Sequence, residues 1–437
     1  MIKKIAIALL LVSGGAVVAE TAQAPTLQMN GYAAMVGAGA FQSNNSNGQG
    51  GAQHIGISAS NIYFTAKGVS TSGFQYKWRV AMESYPGGKS TLGSAIYFTQ
   101  NYIEFGLVDL GIFQIGNLTG VEDTMTESGF NLMGGAASID GTFTNITNTA
   151  EGVIGGAQMA NQTSKSTKIV YYTPSVGGLT FGVAYTPNTT RMGTGGRDNA
   201  GGPGDNTHGN EGGIYPSKSG SAYGMHNVAA GVKYVSDFKS WNMALAAIVI
   251  AENSKRGRKG YFEDDSLALD FYKYKSANNS RSAHFTAAVG IDQWRFATGL
   301  ILNGKSRLPK ADGYSTGDAG RAWNFGAQYT VGAYQFALGY FKTMRELPRI
   351  PAGQGTNGVR YASVGGKAES DIVSATIDFN ALQGLKFFGE VDFFNSRTNK
   401  EYAKFIGQTR KYTDKGGKTA ITDNAGTAVI VGTKLSF

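Results

Sequence analysis

Apolar and polar side chains alternate with a period of two residues along most of the chain. The clearest segment places Phe74, Tyr76, Trp78, Val80 and Met82 between Gln75, Lys77, Arg79, Ala81 and Glu83. Successive side chains of a strand point to opposite faces, so this spacing predicts a strand with one apolar and one polar face. The same alternation continues to the last residue, Phe437.

About sixteen segments with this pattern are predicted to be strands. They lie at 26–40, 55–66, 73–84, 94–106, 109–116, 165–173, 179–187, 222–235, 239–252, 281–290, 292–302, 321–331, 333–343, 370–380, 384–395 and 426–437. Short connections rich in Gly, Asn, Asp and Ser alternate with long polar connections. Long loops are uncommon in a compact domain, but a barrel in a bacterial outer membrane has short turns at one end and long external loops at the other.

Backbone hydrogen bonding then determines how such a sheet must end. In hydrocarbon every N–H and C=O group needs an internal partner, so the strand that begins near Leu27 is expected to pair with the strand that ends at Phe437. Sixteen strands enclose more space than side chains fill, so the polar face is expected to line water. The sequence therefore predicts an all-β, transmembrane, antiparallel up-and-down β-barrel with long external loops.

The first residues have the features of a secretory signal peptide. Two lysines, Lys3 and Lys4, precede an apolar run from Ile5 to Val12 and then a stretch of small residues. The apolar run is too short to be a spanning helix, which needs about 20 residues. We expect residues 1–19 to be the signal peptide, with cleavage after residue 24 as the alternative, and residues 20–437 to form a single barrel domain.

Composition excludes several other classes of protein. The chain has 437 residues and no cysteine, so disulfide scaffolds, thiolate metal sites and cysteine nucleophiles are excluded. Its 22 Tyr and 24 Phe are too many for a disordered chain. The formal charge is +9, but no block of five or more consecutive Lys or Arg occurs, so nucleic acid is not an expected partner.

The chemistry of an enzyme or a metal site is not found in the sequence. The four histidines are His54, His208, His226 and His284, and none forms an HExxH motif or an i,i+4 pair, so neither a metal nor a cofactor is expected. His284, with Ser282 near it, is similar to the Ser-His-Asn arrangement of barrel phospholipases, but a hydrogen-bonded lumen histidine is the preferred interpretation. Asp264 and Asp265 are interpreted as part of a solvated loop rather than as a calcium site.

Two further features bear on the membrane. Aromatic residues at strand ends predict an interfacial belt, and they are Tyr172, Tyr185, Trp241 and Trp294. The segment Met243–Ala251 is apolar on both faces. It is expected to be covered by a folded-in loop or to lie at a subunit contact.

Several segments resemble the general porins of Gram-negative bacteria. Thr167–Tyr185, with the sequence TKIVYYTPSVGGLTFGVAY, resembles a hairpin of that family. Tyr97–Gly106, followed by Gly111–Phe113, is similar to the family's fourth and fifth strands, and Leu27–Tyr32 is similar to its opening strand. The resemblance implies an outer-membrane channel for passive diffusion of small hydrophilic solutes and ions. It also implies a homotrimer and a barrel-assembly machinery that reads the terminal aromatic residue, here Phe437.

In that family the third external loop folds into the lumen and narrows it. The corresponding connection here is 117–164, and it lacks the Pro-Glu-Phe-Gly-Gly tip of enteric porins. The resemblance implies that acids of this loop face basic residues of the wall across a constriction. The acids are Glu122, Asp123, Glu127 and Asp140, and the best wall candidates are Lys77 and Arg79.

Other charged residues share the polar face of the predicted strands and are expected to face the lumen. They are Glu83, Lys233, Arg295, Asp378, Lys386, Glu390 and Lys434. After removal of the signal peptide the chain has more basic than acidic residues, from which we hypothesise a mild preference for anions. The alternative is that the excess charge lies on external loops, where it binds lipopolysaccharide; outer-membrane lipids and lipopolysaccharide are the expected partners.

Two other functions remain open from the sequence. A solute-specific channel would need a track of aromatic or basic side chains on the lumen face, and only Phe388 and Phe394 were aromatic candidates for that face. A surface adhesin or structural barrel would depend on its loops, and the polar loop 188–221 keeps that alternative open.

Overall fold

Sixteen antiparallel strands form one closed sheet in the computed structural model. The strands are β1 Thr26–Gln42, β2 Gln53–Val69, β3 Gln75–Ser84, β4 Ile96–Leu107, β5 Gly111–Asn117, β6 Thr167–Tyr172, β7 Leu179–Asn188, β8 Tyr223–Asp237, β9 Trp241–Lys255, β10 Ser280–Ile291, β11 Trp294–Leu302, β12 Arg321–Val331, β13 Tyr334–Ile350, β14 Val364–Leu382, β15 Leu385–Thr398 and β16 Asp423–Ser436. Each strand pairs with its neighbours in chain order. The predicted number of strands and their antiparallel order are confirmed.

Closure joins the two ends of the chain. Strand β1 pairs with β16 from Tyr32 opposite Ser436 to Gln42 opposite Gly426. The terminal Phe437 continues this pairing, because its N–H donates to the carbonyl of Gly31 at 3.0 Å and its carbonyl accepts from the N–H of Gly31 at 2.9 Å. The predicted pairing of the first strand with the last is therefore confirmed, and the sheet has no open edge.

The structure describes only part of the connections between strands. The described residues are 25–44, 53–84, 96–107, 109–136, 142–150, 153, 163, 165–188, 223–255, 276–306, 309–310, 318–350, 353–354, 360–361, 364–401 and 421–437. The expected signal peptide lies outside them, as do Asp140, His208 and the pair Asp264 and Asp265. Two additional ladders pair residues 276–277 with 309–310 and residues 353–354 with 360–361.

The outer face of the barrel is a continuous apolar surface. Large apolar side chains at alternate positions are exposed there, among them Trp78, Phe181, Val249, Phe325 and Val431. Such an extensive exposed apolar surface marks contact with a membrane. No helix within the described ranges is long and apolar enough to cross a membrane.

An aromatic belt surrounds the barrel next to the short turns. Its ring pairs include Phe238 and Trp241, with centroids 4.2 Å apart, and Trp294 and Tyr329, with centroids 4.6 Å apart. Trp241 and Trp294 therefore occupy the belt that was predicted for them. The prediction for Tyr172 is wrong, because its hydroxyl contacts Thr124 of the loop between β5 and β6, inside the barrel.

The connection between β5 and β6, residues 118–166, is the third loop, and it lies inside the barrel. It contains α1 (Val121–Thr124), a 3-10 helix (Gly129–Leu132) and α2 (Phe143–Ile146). Helix α1 contacts β7, β8 and β9; the 3-10 helix contacts β11, β12 and β13; α2 contacts β1 and β16. Because these strands lie on different sides of a closed barrel, the third loop can reach all of them only from within. This is the position that the resemblance implied.

Apolar contacts hold the third loop against the inner wall. Val121 and Met125 pack in one cluster with Ile248 and Ile250 of β9, and all four side chains are buried. The inner face of the doubly apolar segment 243–251 is thus covered by the folded-in loop, which was one of its two expected explanations. On the other side of the barrel, the rings of Phe143 and Phe394 meet edge to face at 5.4 Å.

Candidate functional site

The helical turns of the third loop line one flank of the lumen. They pack against β7–β9, β11–β13, β16 and β1, whereas β2–β5 are not among the strands that these turns contact extensively. The ends of the third loop reach β3 and β4, since Lys165 pairs with Glu83 and Leu118 packs in one buried cluster with Tyr102. The groups that line a water-filled lumen determine what passes.

Three successive backbone N–H groups fasten the loop to the wall of β14 and β15. Gly134 donates to Thr376 Oγ1 at 3.1 Å, and Gly135 donates to Asp378 Oδ1 at 2.8 Å. Ala136 donates to Glu390 Oε2 at 2.7 Å. Asp378 and Glu390 were both expected to face the lumen. They lie on the inner face, but the third loop buries them to 3% and 2% exposure, so they hold the loop rather than line open water.

Glycine permits the closest approach between the loop and the wall. A Cβ atom on Gly326 of β12 would lie 2.6 Å from the carbonyl oxygen of Gly129, which is closer than side chains allow. The N–H of Gly129 also donates to Asn324 Oδ1 at 2.7 Å, and Gln328 Nε2 donates to the carbonyl of Leu132 at 2.7 Å. Small residues on both partners let the loop backbone come close enough to bond with these wall side chains.

Glu127 of the third loop is bound by two wall cations. Lys233 Nζ donates to its Oε1 at 2.8 Å, and Arg295 Nη2 donates to its Oε2 at 2.5 Å. Partial burial raises the pKa of the Glu127 carboxyl, but the hydrogen bonds and positive charges of Lys233 and Arg295 outweigh burial and hold that pKa below its ordinary value. One predicted constriction acid and two predicted lumen cations thus meet at one place.

Glu122 does not reach the water of the lumen. It is 1% exposed, and its Oε1 accepts from Thr163 through the N–H at 3.0 Å and the hydroxyl at 2.6 Å. Lys168 of β6 is equally buried and donates to the carbonyls of Leu118 and Ser166. Glu122 was expected at the constriction, but it lies at the base of the third loop. Asp123, its neighbour, is partly exposed.

Lys77 pairs with a wall residue rather than with an acid of the loop. Its Nζ lies 2.7 Å from Glu104 Oε2 on β4, which also accepts from Gln114 Nε2 at 2.6 Å. Glu83 on β3 is paired in turn with Lys165, at the end of the third loop, at 2.5 Å. Each pair neutralises one carboxylate on the inner wall of β3 and β4.

Arg79 and Lys434 are different, because each lies over a tyrosine ring. Arg79 Cζ is 4.6 Å from the ring centroid of Tyr63, and Lys434 Nζ is 4.0 Å from that of Tyr32. Asn61 Nδ2 donates to both phenol oxygens, at 2.7 Å for Tyr32 and 3.2 Å for Tyr63. We call these five residues the basic row. Neither of its cations pairs with a carboxylate in the described part of the chain.

The tyrosines and the asparagine of the basic row were missed by sequence reasoning. Tyr32 and Asn61 are opposite one another on β1 and β2. The alternation of side chains would have assigned each of them to the inner face. It does not give the register between neighbouring strands, and that register is what brings these residues together.

The electrostatic balance of the lumen follows from these contacts. Four described carboxylates each accept from a Lys or Arg, and they are Glu83, Glu104, Glu127 and Asp378. Arg79 and Lys434 make no ion pair with any carboxylate among the described residues.

Comparison with known proteins identifies the family. A family model described as Gram-negative porin matches residues 6–399. The chain belongs to the Gram-negative porin family. This porin is an outer-membrane β-barrel that forms a channel for passive diffusion of small hydrophilic solutes and ions. No curated protein matches its sequence.

Solved structures share the fold of this porin at low sequence identity. The trimer form of OmpT from Vibrio cholerae is 10% identical, with a TM-score of 0.51 over 95% of this chain and 100% of that chain. An anion-selective porin from Comamonas acidovorans is 11% identical, with a TM-score of 0.51 over 94% of this chain and 100% of that chain. The channel DcaP of Acinetobacter baumannii is 9% identical, with a TM-score of 0.51 over 95% of this chain and 98% of that chain. At these identities the likeness concerns the fold alone.

Proposed function

We propose that this porin is a general diffusion channel that prefers anions. One observation carries the proposal: Arg79 on β3 and Lys434 on β16 have no carboxylate partner within the described residues, whereas Glu83 and Glu104 are paired with lysines. Unpaired fixed charge on the wall of a water-filled passage raises the local concentration of ions of the opposite sign. The structural likeness to a porin described as anion-selective agrees with this proposal.

The proposed constriction lies between the third loop and the inner wall of β3. On the wall it comprises Lys77 and Arg79, and on the loop it comprises Asp123 and Glu127. Because Lys233 and Arg295 neutralise Glu127, the loop side opposes the positive wall only weakly. Asp140 belongs to the same loop but lies outside the described residues, and Glu122 is excluded from the proposed constriction by its burial.

The assembled form is proposed to be a homotrimer in a lipopolysaccharide-containing membrane. The similar OmpT structure is described as a trimer. Phe437 has an exposed ring at the end of the closing strand, where it would be accessible to the assembly machinery. Charged outward-facing pairs support contact with lipid headgroups, since Lys342 lies 2.9 Å from Asp371 and Arg397 lies 2.5 Å from Glu369.

A catalytic role is not part of the proposal. His284, the one histidine with a possible catalytic interpretation, is 0% exposed, and neither ring nitrogen has a hydrogen-bond partner in the described part of the barrel. A substrate has no access to its ring.

Reversal potentials measured across a planar bilayer in a KCl gradient test the proposed function. The purified porin is expected to favour chloride, and the double variant Arg79→Gln/Lys434→Gln is expected to lose most of that preference. The control is Lys239→Gln, which removes a positive charge from an exposed turn between β8 and β9 and should leave the potential unchanged. A cation-selective wild type, or a double variant with unaltered selectivity, contradicts the proposal.

A further inference from the structure

A fully buried carboxylate on the inner wall has no hydrogen-bond partner in the described part of the chain. Asp392 of β15 is 0% exposed, and neither of its carboxylate oxygens makes a hydrogen bond with a described residue. The ion pairs of the described residues do not include it either. Because a buried and unpaired charge is costly, a carboxylate in this position requires a counter-charge or a proton.

Two further oxygen-bearing side chains face Asp392. Ser374 of β14 is directly opposite it in the ladder and is 0% exposed, and its hydroxyl makes no hydrogen bond with a described residue. Glu390 lies two residues earlier on the same face of β15, so the Cα atoms of the two acids are about 7 Å apart. The Asp392 carboxyl lies beside both the Ser374 hydroxyl and the Glu390 carboxyl. The three side chains therefore converge on one point between β14 and β15.

Apolar side chains surround this point. Phe394 follows Asp392 on the same face of β15, and Ile372 of β14 is opposite Phe394. On the other side, Ala428 of β16 is opposite Asp392, and Ile430 continues the same face. All four apolar residues are buried in one cluster. Neither Ala428 nor any other residue of this cluster is basic, and an apolar surrounding strengthens the attraction between a carboxylate and a cation.

We propose that Asp392, Glu390 and Ser374 form a binding site for a divalent cation. Two carboxylates and a hydroxyl provide only oxygen ligands, which calcium and magnesium prefer, and the two negative charges match one divalent ion. Because Glu390 Oε2 also accepts from the N–H of Ala136 at 2.7 Å, the bound ion braces the third loop against the wall. The ligands come from two strands, so no sequence motif indicated the site. The inference goes beyond the proposed function and is independent of the anion preference.

Equilibrium dialysis of the purified porin against radioactive calcium at neutral pH tests the site. The porin is refolded in detergent without lipopolysaccharide, which excludes calcium held by lipid phosphates. The wild type is expected to bind about one more calcium ion per chain than Asp392→Asn. Ser374→Ala keeps both carboxylates and should weaken binding at this site about tenfold. Asp371→Asn is the control, since it removes a partly exposed carboxylate that pairs with Lys342, and it should bind calcium like the wild type.

The temperature at which gel migration changes gives a second measurement. Chelation with EDTA should lower this temperature in the wild type and in Asp371→Asn, but not in Asp392→Asn, because only a bound ion stabilises the folded barrel in this way. Competition with magnesium identifies the ion. Displacement of the calcium supports a site for either cation, and retention of the calcium supports a site selective for calcium.

Two results overturn the inference. The first is equal calcium content in the wild type and in Asp392→Asn. The second is an Asp392→Asn porin as stable as the wild type in both calcium and EDTA, since Asp392 then carries a proton in place of a cation. If Asp392→Asn does not fold, an unchanged calcium affinity in Ser374→Ala overturns the inference instead.

Discussion

Gly129 of the third loop and Gly326 of β12 meet backbone to backbone, so that a Cβ atom on Gly326 would lie 2.6 Å from the Gly129 carbonyl oxygen. We expect Gly326→Ala to push the third loop away from the wall and into the passage. Single-channel conductance should fall, while the heat-modifiable gel migration of a folded barrel is retained. Gly39→Ala is the matched control, because a Cβ there meets nothing within 4 Å. Equal conductance in both variants would show that this contact does not position the loop.

The pairing of Glu127 with Lys233 and Arg295 predicts a pH dependence. Since the pKa of Glu127 in the folded channel is lowered, the stabilisation is fully present above its ordinary value, about 4.3, and is lost as the pH falls through the lowered folded value. Conductance should therefore stay constant from neutral pH down to about 4 and fall below it, as the loop leaves the wall.

The control for this prediction is Glu127→Gln, which has no charge to lose at that position. A titration of its single-channel conductance should lack the step that the wild type shows at low pH. If the two titrations coincide, another group controls the loop.

The pair of Asp378 and Lys386 predicts a loss of stability when only one partner is removed. The Asp378 side chain is 4% exposed and lies 2.7 Å from Lys386 Nζ. Lys386→Met leaves a buried carboxylate without its cation and should lower the free energy of unfolding by about 2 kcal/mol. The temperature at which gel migration changes measures this effect. Adding Asp378→Asn should recover part of the loss, since an amide oxygen still accepts from Gly135.

The same substitution in an exposed pair provides the comparison. Lys342 and Asp371 have side chains that are 28% and 27% exposed, and Lys342→Met should cost less than about 1 kcal/mol. Equal losses at Lys342 and Lys386 would mean that burial of Asp378 does not set the energy of its pair.

His284 is a buried polar group whose removal should stabilise the barrel. Its register partners on the adjacent strands, Ile248 and Ile301, are both 0% exposed. The His284 imidazole makes no hydrogen bond with any described residue. His284→Leu replaces it by an apolar side chain of similar size, so the free energy of unfolding should rise by about 1 kcal/mol. His284→Asn, which is smaller and still polar, should lower it. A less stable leucine variant would show that the imidazole makes a favourable contact.

The alternation of apolar and polar residues predicted the strands where their outer face meets hydrocarbon. It did not predict how far the strands continue beyond that region. Strand β13 was expected to end near residue 343 but continues to Ile350, and β14 begins at Val364 rather than near residue 370. Outward positions there carry charges such as Lys342 and Asp371, which pair with each other at 2.9 Å. Since apolar alternation reports contact with hydrocarbon, it ends before backbone pairing does.

The sequence indicated which side chains point into the barrel, but not what those side chains contact there. Asp378 and Glu390 were expected to face the lumen, and their partners are N–H groups of the third loop, more than 200 residues away along the chain. Tyr172 was assigned outward because an aromatic residue at a strand end usually faces the interface, but α1 of the loop covers it. The odd or even position of a residue in a strand shows which face of the sheet its side chain is on. The path of a long loop decides what covers that face, and a long loop has no repeating sequence pattern from which its path could be predicted.

The helical turns of the third loop pack against strands from β7 around to β1, so one connection braces strands that lie far apart in the closed sheet. A substitution in these contacts is therefore able to change both the width of the passage and the resistance of the barrel to heat.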